Sequence, residues 1–301
     1  MRVIVTVAEL TTALEAERSA GRQVGLVPTM GALHAGHRSL IERAAAECDT
    51  VAVTVFVNPL QFDNRGDLAA YPRTLPADVA LATSAGATIV FAPAVTEMYP
   101  DHPAPPATTV HVSGLTDRFE GASRPGHFDG VATVVTKLLT MAGRCRAYFG
   151  EKDLQQLAVV RRLAADLSLP VDVVGCPTVR EPDGLALSSR NARLSQDERR
   201  AATALYRALE AGAAALASAE PDVGAARRAM VGVLAAEPLV TLDYAEVVDP
   251  ATFEVPSEPR GDLRLVVAAR VGEIRLIDNL PVRAGTGTPA PVRAPAAAAR
   301  P

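Results

Sequence analysis

Two histidines three residues apart are the first side chains whose spacing suggests chemistry. His34 and His37 follow a short apolar run, Val24–Val27, and precede a segment with helical periodicity. A helix that begins here would place both imidazoles on one face at its N-terminus, where unpaired N–H groups favour phosphate. Such a pair could donate hydrogen bonds to a phosphate that gains charge during in-line displacement. An isolated pair is more often a helix cap with two partly exposed histidines, but the strand–helix turn and the flanking Gly31 and Gly36 favour function here. Metal binding is the other option, and no third ligand accompanies the pair.

Amide and charged side chains follow two further predicted strands. Asn58 and Gln61 offer amide donors and acceptors that suit hydroxyl groups and a carboxylate. Lys152 provides a compact positive charge for triphosphate oxygens. Its neighbours Glu151 and Asp153 could serve Mg²⁺ or could simply favour the N-terminus of a helix. Each group alone is also consistent with a turn or a capped helix, so the sequence leaves both interpretations open.

A third polar group, Ser188–Arg190, lies near the point where the alternation of apolar strands and helical segments ends. Two hydroxyl groups beside a guanidinium make an oxyanion-binding loop, because arginine can form bidentate hydrogen bonds with phosphate. The alternative is a turn between domains whose serines cap the next helix. Lys137 and Lys152 are the only lysines among 30 lysine and arginine residues, which makes each of them worth attention.

The fold class follows from apolar strands that alternate with helical segments over the first 177 residues. Strands that are apolar on both faces are typical of a parallel sheet covered by helices, here a Rossmann-like, doubly wound α/β sheet. Five strands are predicted: Val24–Val27, Val51–Phe56, Thr88–Phe91, Ala147–Phe149 and Val171–Val174. Four helices are predicted between them: Gly36–Cys48, Pro76–Ala85, Phe128–Met141 and Leu154–Leu167. Ligands bind such sheets at the carboxyl ends of the strands, where the polar groups above fall.

A smaller C-terminal α+β domain is predicted for residues 178–283. It begins with one long helix at Ser195–Ala217, capped by Ser195 and Glu198, and a second helix at Val223–Ala235. Three strands follow: Tyr244–Val248, Leu263–Ala268 and Glu273–Ile277. We expect this domain to act as a lid. Residues 284–301 are rich in proline, alanine and glycine, and this composition predicts a disordered tail.

Composition argues against several classes of protein. The net charge of −4 provides no general basic field for nucleic acid. No apolar run reaches the length of about 18 residues that a membrane span requires. The N-terminus lacks the features of a signal peptide, and the three scattered cysteines read as reduced core residues of a cytoplasmic protein rather than zinc ligands.

Four segments of the chain resemble motifs of one enzyme family. Residues 28–37 read PTMGALHAGH and resemble the HIGH-type motif of the nucleotidyltransferase superfamily, in the longer form found in pantoate–β-alanine ligases. Residues 56–62 (FVNPLQF) and 149–156 (FGEKDLQQ) resemble two further motifs of these ligases. Residues 187–191 (LSSRN) resemble their counterpart of the KMSKS loop, with Leu187 where methionine is common. The resemblance extends over roughly residues 1–283.

The resemblance implies a two-step reaction. ATP would activate (R)-pantoate as pantoyl adenylate, and β-alanine would then displace AMP to give pantothenate. The residues implied in catalysis are His37, His34, Lys152, Ser188, Ser189 and Arg190. The residues implied in ATP binding are Met30, Gly31, Ala32, Leu33, His34, Ala35, Gly36, His37, Gly150, Glu151, Lys152, Asp153, Val179, Leu187, Ser188, Ser189 and Arg190. Those implied for pantoate and β-alanine are Gln61, Gln156, Asn58 and Met30.

The resemblance also implies Mg²⁺ beside ATP, a homodimer formed through the larger domain, and a proton-donor role for His37. It leaves the ligands of Mg²⁺ unassigned. Asp78, Arg124 and His127 are weaker candidates: Asp78 lacks the acidic cluster found around its counterpart, and the last two adjoin a glycine-rich loop without a P-loop's lysine. The nearest alternative is an enzyme that stops at nucleotidyl transfer. A non-catalytic nucleotide-binding protein is a second alternative, and the intact charge pattern argues against it.

Overall fold

The computed structural model describes residues 1–62 and 65–284, apart from the side chain of Arg65, and it divides at Arg193/Leu194 into two compact units. The sequence placed a boundary earlier, at 177/178. Residues 178–193 belong with the first unit because of their own contacts. An isolated bridge between Arg180 and Ala186 folds this segment back on itself, and its side chains lie in a cleft with residues that follow β-strands of that unit.

The first unit is built on six parallel strands, which confirms the predicted fold class. The strands are β1 (Arg2–Ile4), β2 (Val24–Thr29), β3 (Thr50–Val55), β4 (Ile89–Phe91), β5 (Cys145–Gly150) and β6 (Val171–Cys176). The helices are α1 (Val7–Ser19), α2 (Ala35–Glu47), α3 (Arg65–Ala70), α4 (Leu75–Ser84), α5 (Val95–Met98), α6 (Glu120–Ser123), α7 (His127–Ala142) and α8 (Leu154–Asp166). Neither β1 nor α1 was among the predicted elements.

Helices cover the sheet because its strands are apolar on both faces. In β3 every residue except the last is buried, and no alternation of polar and apolar side chains remains. Helices α2 and α4 contact each other and pack on a core that includes Val27, Val53 and Ile41. Helices α1, α7 and α8 form a second contacting group, and α7 buries most of its length. This burial provides the main stabilisation of the unit.

The strand order β1-β4-β3-β2-β5-β6 places a change of direction in the middle of the sheet. The chain runs outward from β2 through β3 to β4, and later returns to β5 on the other side of β2. The carboxyl ends of β2 and β5 therefore lie side by side while their following loops diverge. A crevice at such a point is where ligands bind in doubly wound sheets. The first histidine follows β2, and Lys152 follows β5.

The second unit contains three antiparallel strands in the order β7-β8-β9, together with helices. Its elements are α9 (Gln196–Ala201), α10 (Ala204–Leu216), α11 (Val223–Ala235), β7 (Val240–Val248), β8 (Gly261–Val271) and β9 (Ile274–Ala284). The prediction of one helix over Ser195–Ala217 is wrong. The Thr203 hydroxyl and backbone N–H both donate to the Arg200 carbonyl, at 2.8 and 3.2 Å, which tightens the chain between α9 and α10.

The C-terminal end of the described chain differs slightly from the prediction. Strand β9 continues through Ala284, where the tail was expected to begin, because Ala284 pairs with Gly261 of β8. The rest of the predicted tail, residues 285–301, lies outside the described residues. None of the helices within the described residues is both long and apolar enough to cross a membrane.

Candidate active site

The turn after β2 positions the two histidines. Gly31 and Ala32 adopt left-handed conformations, with φ of +84° and +51°, and Gly31 does so without the steric penalty of a Cβ. The buried Asp78 carboxylate stabilises this turn. It accepts hydrogen bonds from the backbone N–H of Ala32 at 3.2 Å and of Leu33 at 2.8 Å, and from the Thr74 hydroxyl at 3.2 Å. Asp78 thus holds the turn from which His34 projects, and its oxygens are occupied by protein donors.

The two histidines form a reciprocal cap at the start of α2. The Nδ1 atom of His34 accepts from the Gly36 N–H at 3.1 Å, and Nδ1 of His37 accepts from the His34 N–H at 3.3 Å. A nitrogen that accepts from a backbone N–H carries no proton, so each neutral ring carries its proton on Nε2. The ring centroids lie 4.2 Å apart. The cap interpretation is therefore confirmed, and the capping bonds also fix two N–H donors, as the functional interpretation requires.

Both imidazoles are neutral near pH 7. Burial, reinforced by the neighbouring His34, lowers the pKa of His37 to about 3. Burial and the charge of Lys152 lower the pKa of His34 as well. These shifts make the pair neutral hydrogen-bond donors rather than a source of protons in the ligand-free protein. A negatively charged phosphate beside Nε2 would accept hydrogen bonds from both.

A second positive element follows β5. The chain leaves β5 at Gly150, makes a short 3₁₀ turn over Glu151–Asp153 and enters α8. The Lys152 ammonium lies 3.7 Å from a carboxylate oxygen of Asp153. Desolvation raises the pKa of Asp153, but the charges of Lys152 and Arg190 outweigh it and hold that pKa below its ordinary value. Lysine, arginine and carboxylate thus form one charged group.

The serine–arginine loop is held by its own hydrogen bonds. Ser188 accepts from the Arg190 backbone N–H at 3.2 Å, and the Asn191 amide donates to the Ala186 carbonyl at 3.0 Å. Burial raises the pKa of the nearby Tyr71, and its interaction with Ser189 opposes that shift. Hydroxyl groups and a guanidinium are therefore presented together, as the sequence predicted.

The amide side of the site is built on the loop after β3. Gln61 Nε2 donates to the Met30 sulfur at 3.0 Å, and its Oε1 accepts from Asn58 Nδ2 at 3.1 Å. The Gln61 carbonyl accepts from His127 Nδ1 at 2.9 Å and from Arg124 at 3.3 Å. His127 in turn accepts from Arg124 at Nε2, 3.2 Å away, and burial and this arginine lower its pKa to about 4. A neutral histidine therefore positions a cation beside Gln61.

These groups meet in one open cleft at the ends of β2 and β5, with an empty volume of about 1170 Å³ that includes space open to solvent. The predicted site residues that line it are Met30, His34, Gly36, His37, Gln61, Gly150, Lys152, Asp153, Gln156, Val179, Leu187, Ser188, Ser189 and Arg190. The weaker candidates Arg124 and His127 line it as well. The histidine turn, the lysine turn, the serine–arginine loop and both amides are thus brought together.

Six predicted residues lie outside the lining. Gly31, Ala32 and Leu33 form the turn described above, and Ala35 is the first residue of α2. Glu151 points toward Gly175 instead of into the cleft. Asn58 is 1% exposed and lies behind Gln61, so it orients that side chain instead of forming a wall of the cleft.

The cleft also contains residues that the sequence patterns did not single out as site residues. They are Pro28, Leu40, Phe62, Tyr71, Phe149, Pro177 and Thr178. Pro28, Phe62 and Phe149 fall inside the quoted motifs, so their place in those motifs could have identified them as site residues. Tyr71 had no such signal, and its ring packs edge-on to Phe62 with centroids 5.7 Å apart.

The fold and the cleft define an α/β nucleotide-binding enzyme, in which helix termini, imidazoles and cations surround space for phosphates. Comparison with known proteins gives the family. The profile of the family described as pantoate-beta-alanine ligase matches residues 2–281. This chain belongs to that family, the C–N ligases that the sequence motifs indicated.

Named relatives support this assignment over nearly the whole chain. A pantothenate synthetase of Deinococcus radiodurans is 55% identical over 284 residues, covering 92% of this chain and 98% of its own. A crystal structure of pantothenate synthetase from Thermus thermophilus matches with a TM-score of 0.87 and 51% identity, covering 94% of this chain and all of that one. A pantoate-beta-alanine ligase from Francisella tularensis, complexed with beta-gamma ATP and beta-alanine, matches with a TM-score of 0.76 and 31% identity, covering 93% and 97%.

Replacing Asp78 with alanine should slow the reaction with ATP by about 100-fold, because small misplacement of a catalytic group costs that much. The change leaves two backbone N–H groups unpaired and releases the turn before His34. Asp78→Asn keeps one acceptor and should lose less. Steady-state rates with ATP, together with thermal unfolding, measure the effect, and Asp129→Ala serves as a control at an exposed carboxylate. A folded Asp78→Ala enzyme with the normal rate would contradict the positioning role.

Proposed function

We propose that this cleft joins pantoate to β-alanine through a pantoyl adenylate, with the phosphate chemistry on its histidine–lysine–arginine side. The supporting observation is the convergence of three donor elements, the histidine turn, the lysine turn and the serine–arginine loop, on one space that also holds two amides, Gln61 and Gln156. A site that activates an acid needs both an anion-stabilising side and a neutral polar side for the acid. Nucleotidyl transfer alone would not require the amide pair.

In the first step an oxygen of the pantoate carboxylate attacks the α-phosphorus of ATP. A P–O bond to the acid forms, the bond to pyrophosphate breaks, and pyrophosphate leaves. The Nε2–H groups of His34 and His37 donate to the phosphate as its charge grows, and Lys152 and Arg190 neutralise it. Ser188 and Ser189 add hydroxyl donors. The step depends on positioning and electrostatics, so it uses no nucleophile of the enzyme.

In the second step the neutral amine of β-alanine attacks the acyl carbon. The C–N bond forms, the bond to AMP breaks, and the amine loses one proton. The family role of proton donor for His37 is weakened by its hydrogen bonds. Its Nδ1 accepts from the His34 N–H, and its lowered pKa makes the ring of the ligand-free protein a neutral imidazole, with one N–H at Nε2, rather than an imidazolium at neutral pH. We therefore assign His37 the role of a neutral donor to phosphate, and the released proton goes to the phosphate or to water.

The acid and the amine would bind on the amide side of the cleft. Gln61 and Gln156 line it, and Met30 contacts Gln61. Arg124 lies beside Gln61, held by His127. A guanidinium in this position suits a substrate carboxylate, because it can form two parallel hydrogen bonds. We propose this cation as the group that holds the carboxylate of β-alanine.

Mg²⁺ fits the residues present. Among the described residues no cluster of three or more His, Cys, Asp or Glu side chains is arranged to hold a metal ion. Asp153 is the carboxylate among the described residues that line the cleft. An ion bound through one carboxylate and the phosphates of a nucleotide matches the preference of Mg²⁺, so Asp153 would hold it. When bound, it would neutralise phosphate charge.

We also propose a cytoplasmic homodimer and a C-terminal unit that closes over ATP. Closure is supported by the position of Ser188–Arg190, a few residues before the boundary at Arg193/Leu194. Fluorescent probes on the two units should move closer when ATP binds, and an unchanged distance would count against a lid.

The proposed function predicts ATP–pyrophosphate exchange that depends on pantoate and needs no β-alanine. The adenylate forms reversibly in the first step, so labelled pyrophosphate should enter ATP. Addition of β-alanine should then release AMP in step with pantothenate. Absence of exchange, combined with absence of AMP when both substrates are present, would reject the ligase and favour simple nucleotidyl transfer.

A further inference from the structure

A buried tyrosine that the mechanism does not use lies behind the amide side of the cleft. Tyr99 follows α5 and is 4% exposed, with its ring centroid 6.1 Å from that of Phe56 and 5.6 Å from the Lys137 ammonium. Its hydroxyl donates to Asn58 Oδ1 at 2.9 Å. Burial raises the pKa of this phenol, so it keeps its proton at neutral pH. Tyr99 is therefore a neutral phenol whose hydrogen is directed to Asn58.

The orientation of the Asn58 amide is fixed by two backbone groups that cannot change roles, and the Tyr99 hydroxyl strengthens it by donating to the same oxygen. Its Oδ1 also accepts from the Leu60 backbone N–H at 3.3 Å, and its Nδ2 donates to the Gly130 carbonyl at 3.0 Å. A flipped amide would place donor against donor and acceptor against acceptor at both positions. The two backbone groups thus select one orientation of a side chain that is 1% exposed, and the Tyr99 hydroxyl adds a third hydrogen bond to that orientation.

That orientation determines the polarity of Gln61. Asn58 Nδ2 donates to Gln61 Oε1 at 3.1 Å, so the oxygen of Gln61 is the acceptor and its NH₂ group is the other end. The Nε2 atom lies 3.0 Å from the Met30 sulfur, and both Gln61 and Met30 line the cleft. An NH₂ group has two hydrogens. One is directed to Met30, and the second remains for a ligand in the cleft.

We propose that Tyr99 is a positioning residue that, through Asn58, holds the Gln61 amide with its N–H toward the acid site. This inference rests on the proposed function, in which Gln61 contacts the acid. It also predicts a specificity: the Gln61 N–H favours a ligand atom with an oxygen lone pair, from a carboxylate or a hydroxyl group. A ligand group that can only donate hydrogen bonds is disfavoured there. An ammonium in the same place would meet an N–H donor.

The ordinary alternative is that Tyr99 merely finds a partner for a buried hydroxyl. The two roles predict different kinetics, because a loss of stability alone does not change the KM of one substrate. Tyr148 provides a matched comparison. It is fully buried, its hydroxyl donates to Glu47 at 2.9 Å and lies 3.3 Å from the Cys48 sulfur, and it does not line the cleft.

The test compares Tyr99→Phe with Tyr148→Phe in pantoate-dependent pyrophosphate exchange. In Tyr99→Phe the Asn58 orientation loses one of its partners, and we expect the KM for pantoate to rise about three- to tenfold, the cost of one hydrogen bond. The KM for ATP and kcat should change little, because the contact acts equally in ground and transition states. Tyr148→Phe should leave all three constants unchanged while lowering the melting temperature similarly.

A second variant reverses the polarity directly. In Asn58→Asp an oxygen replaces the NH₂ group that donates to Gln61 Oε1 and to the Gly130 carbonyl, so both acceptors lose their donor. Gln61 can restore a hydrogen bond to residue 58 by turning its own NH₂ toward it, which presents Oε1 to the cleft. We expect a larger rise in the KM for pantoate than in Tyr99→Phe. A Tyr99→Phe enzyme indistinguishable from Tyr148→Phe would overturn the inference while leaving the function intact. If the unmodified enzyme showed neither exchange nor AMP formation with pantoate, the proposed function would fail, and the inference with it.

Discussion

Replacing Lys152 with methionine should slow formation of the acyl adenylate by about 10²- to 10³-fold, the usual cost of removing one donor from a charge-stabilising site. The ammonium lies in the cleft beside Asp153 and acts electrostatically on His34 and His37. Methionine keeps the length and apolar stem of the side chain but removes its charge. Single-turnover measurements with ATP and pantoate would follow the step directly.

Two further variants separate the local charge from general effects. Lys152→Arg keeps the charge on a longer, planar group, so part of the rate should return. Arg162→Met removes one positive charge from an exposed position of α8, the helix that follows Lys152, where Arg162 pairs with Asp166 at 2.7 Å, and it should leave the rate nearly unchanged. Equal rates for Lys152→Met and the unmodified enzyme would exclude Lys152 from phosphate stabilisation.

His37→Ala should also lower the rate of adenylate formation, by about 100-fold, because it removes a fixed N–H donor. His37→Gln can still donate an N–H and should lose less, although it cannot transfer protons. A proton-transfer role would act in the β-alanine step instead, so it predicts a normal rate of adenylate formation and a reaction with β-alanine that is equally impaired in both variants. Single-turnover rates of both steps would distinguish the roles, and near-normal rates of both steps in both variants would remove His37 from the mechanism.

The lowered pKa of His37 also predicts how stability depends on pH. The unfolded chain binds a proton at this residue near pH 6.5, whereas the folded chain resists it until about pH 3. The free energy of unfolding that His37 contributes is therefore complete above pH 6.5 and is lost as the pH falls toward 3. Denaturant unfolding of His37→Gln should show a shallower decline over this interval than the unmodified protein. Parallel curves would mean that the folded protein holds His37 with an ordinary pKa.

The sequence predicted the class of fold and most of the cleft because both depend on local patterns. Continuous apolar strands indicate a parallel sheet, and residues that follow such strands reach the same edge. His34, Gln61 and Lys152 each follow a strand, so their convergence could be anticipated. The order of the strands could not be predicted, because the hydrophobic period and the composition of a strand do not indicate which strands are its neighbours in the sheet.

The roles of Asp78 and Asn58 depend on contacts between distant segments. Asp78 is 46 residues from Ala32 in the chain, and only the packing of α4 brings its carboxylate under the turn. Asn58 precedes Gln61 in one motif, and its sequence position suggested direct contact with substrate. Its burial against Gly130 shows a side chain whose bonds are all to protein. The break near Thr203 escaped prediction because an alanine-rich segment has high helix propensity throughout.

The contact at Gly130 has a consequence for how this site can vary. A Cβ there would lie 2.3 Å from the Leu60 carbonyl oxygen, so the backbone of α7 directly touches the loop that carries Gln61. No side chain lies between them to absorb a displacement. The separation of α7 from the loop that carries Gln61 is therefore set by contact between two backbones. Related enzymes that accept longer or shorter acids would have to move that helix or rebuild the loop, since a change of one lining side chain leaves this distance as it is.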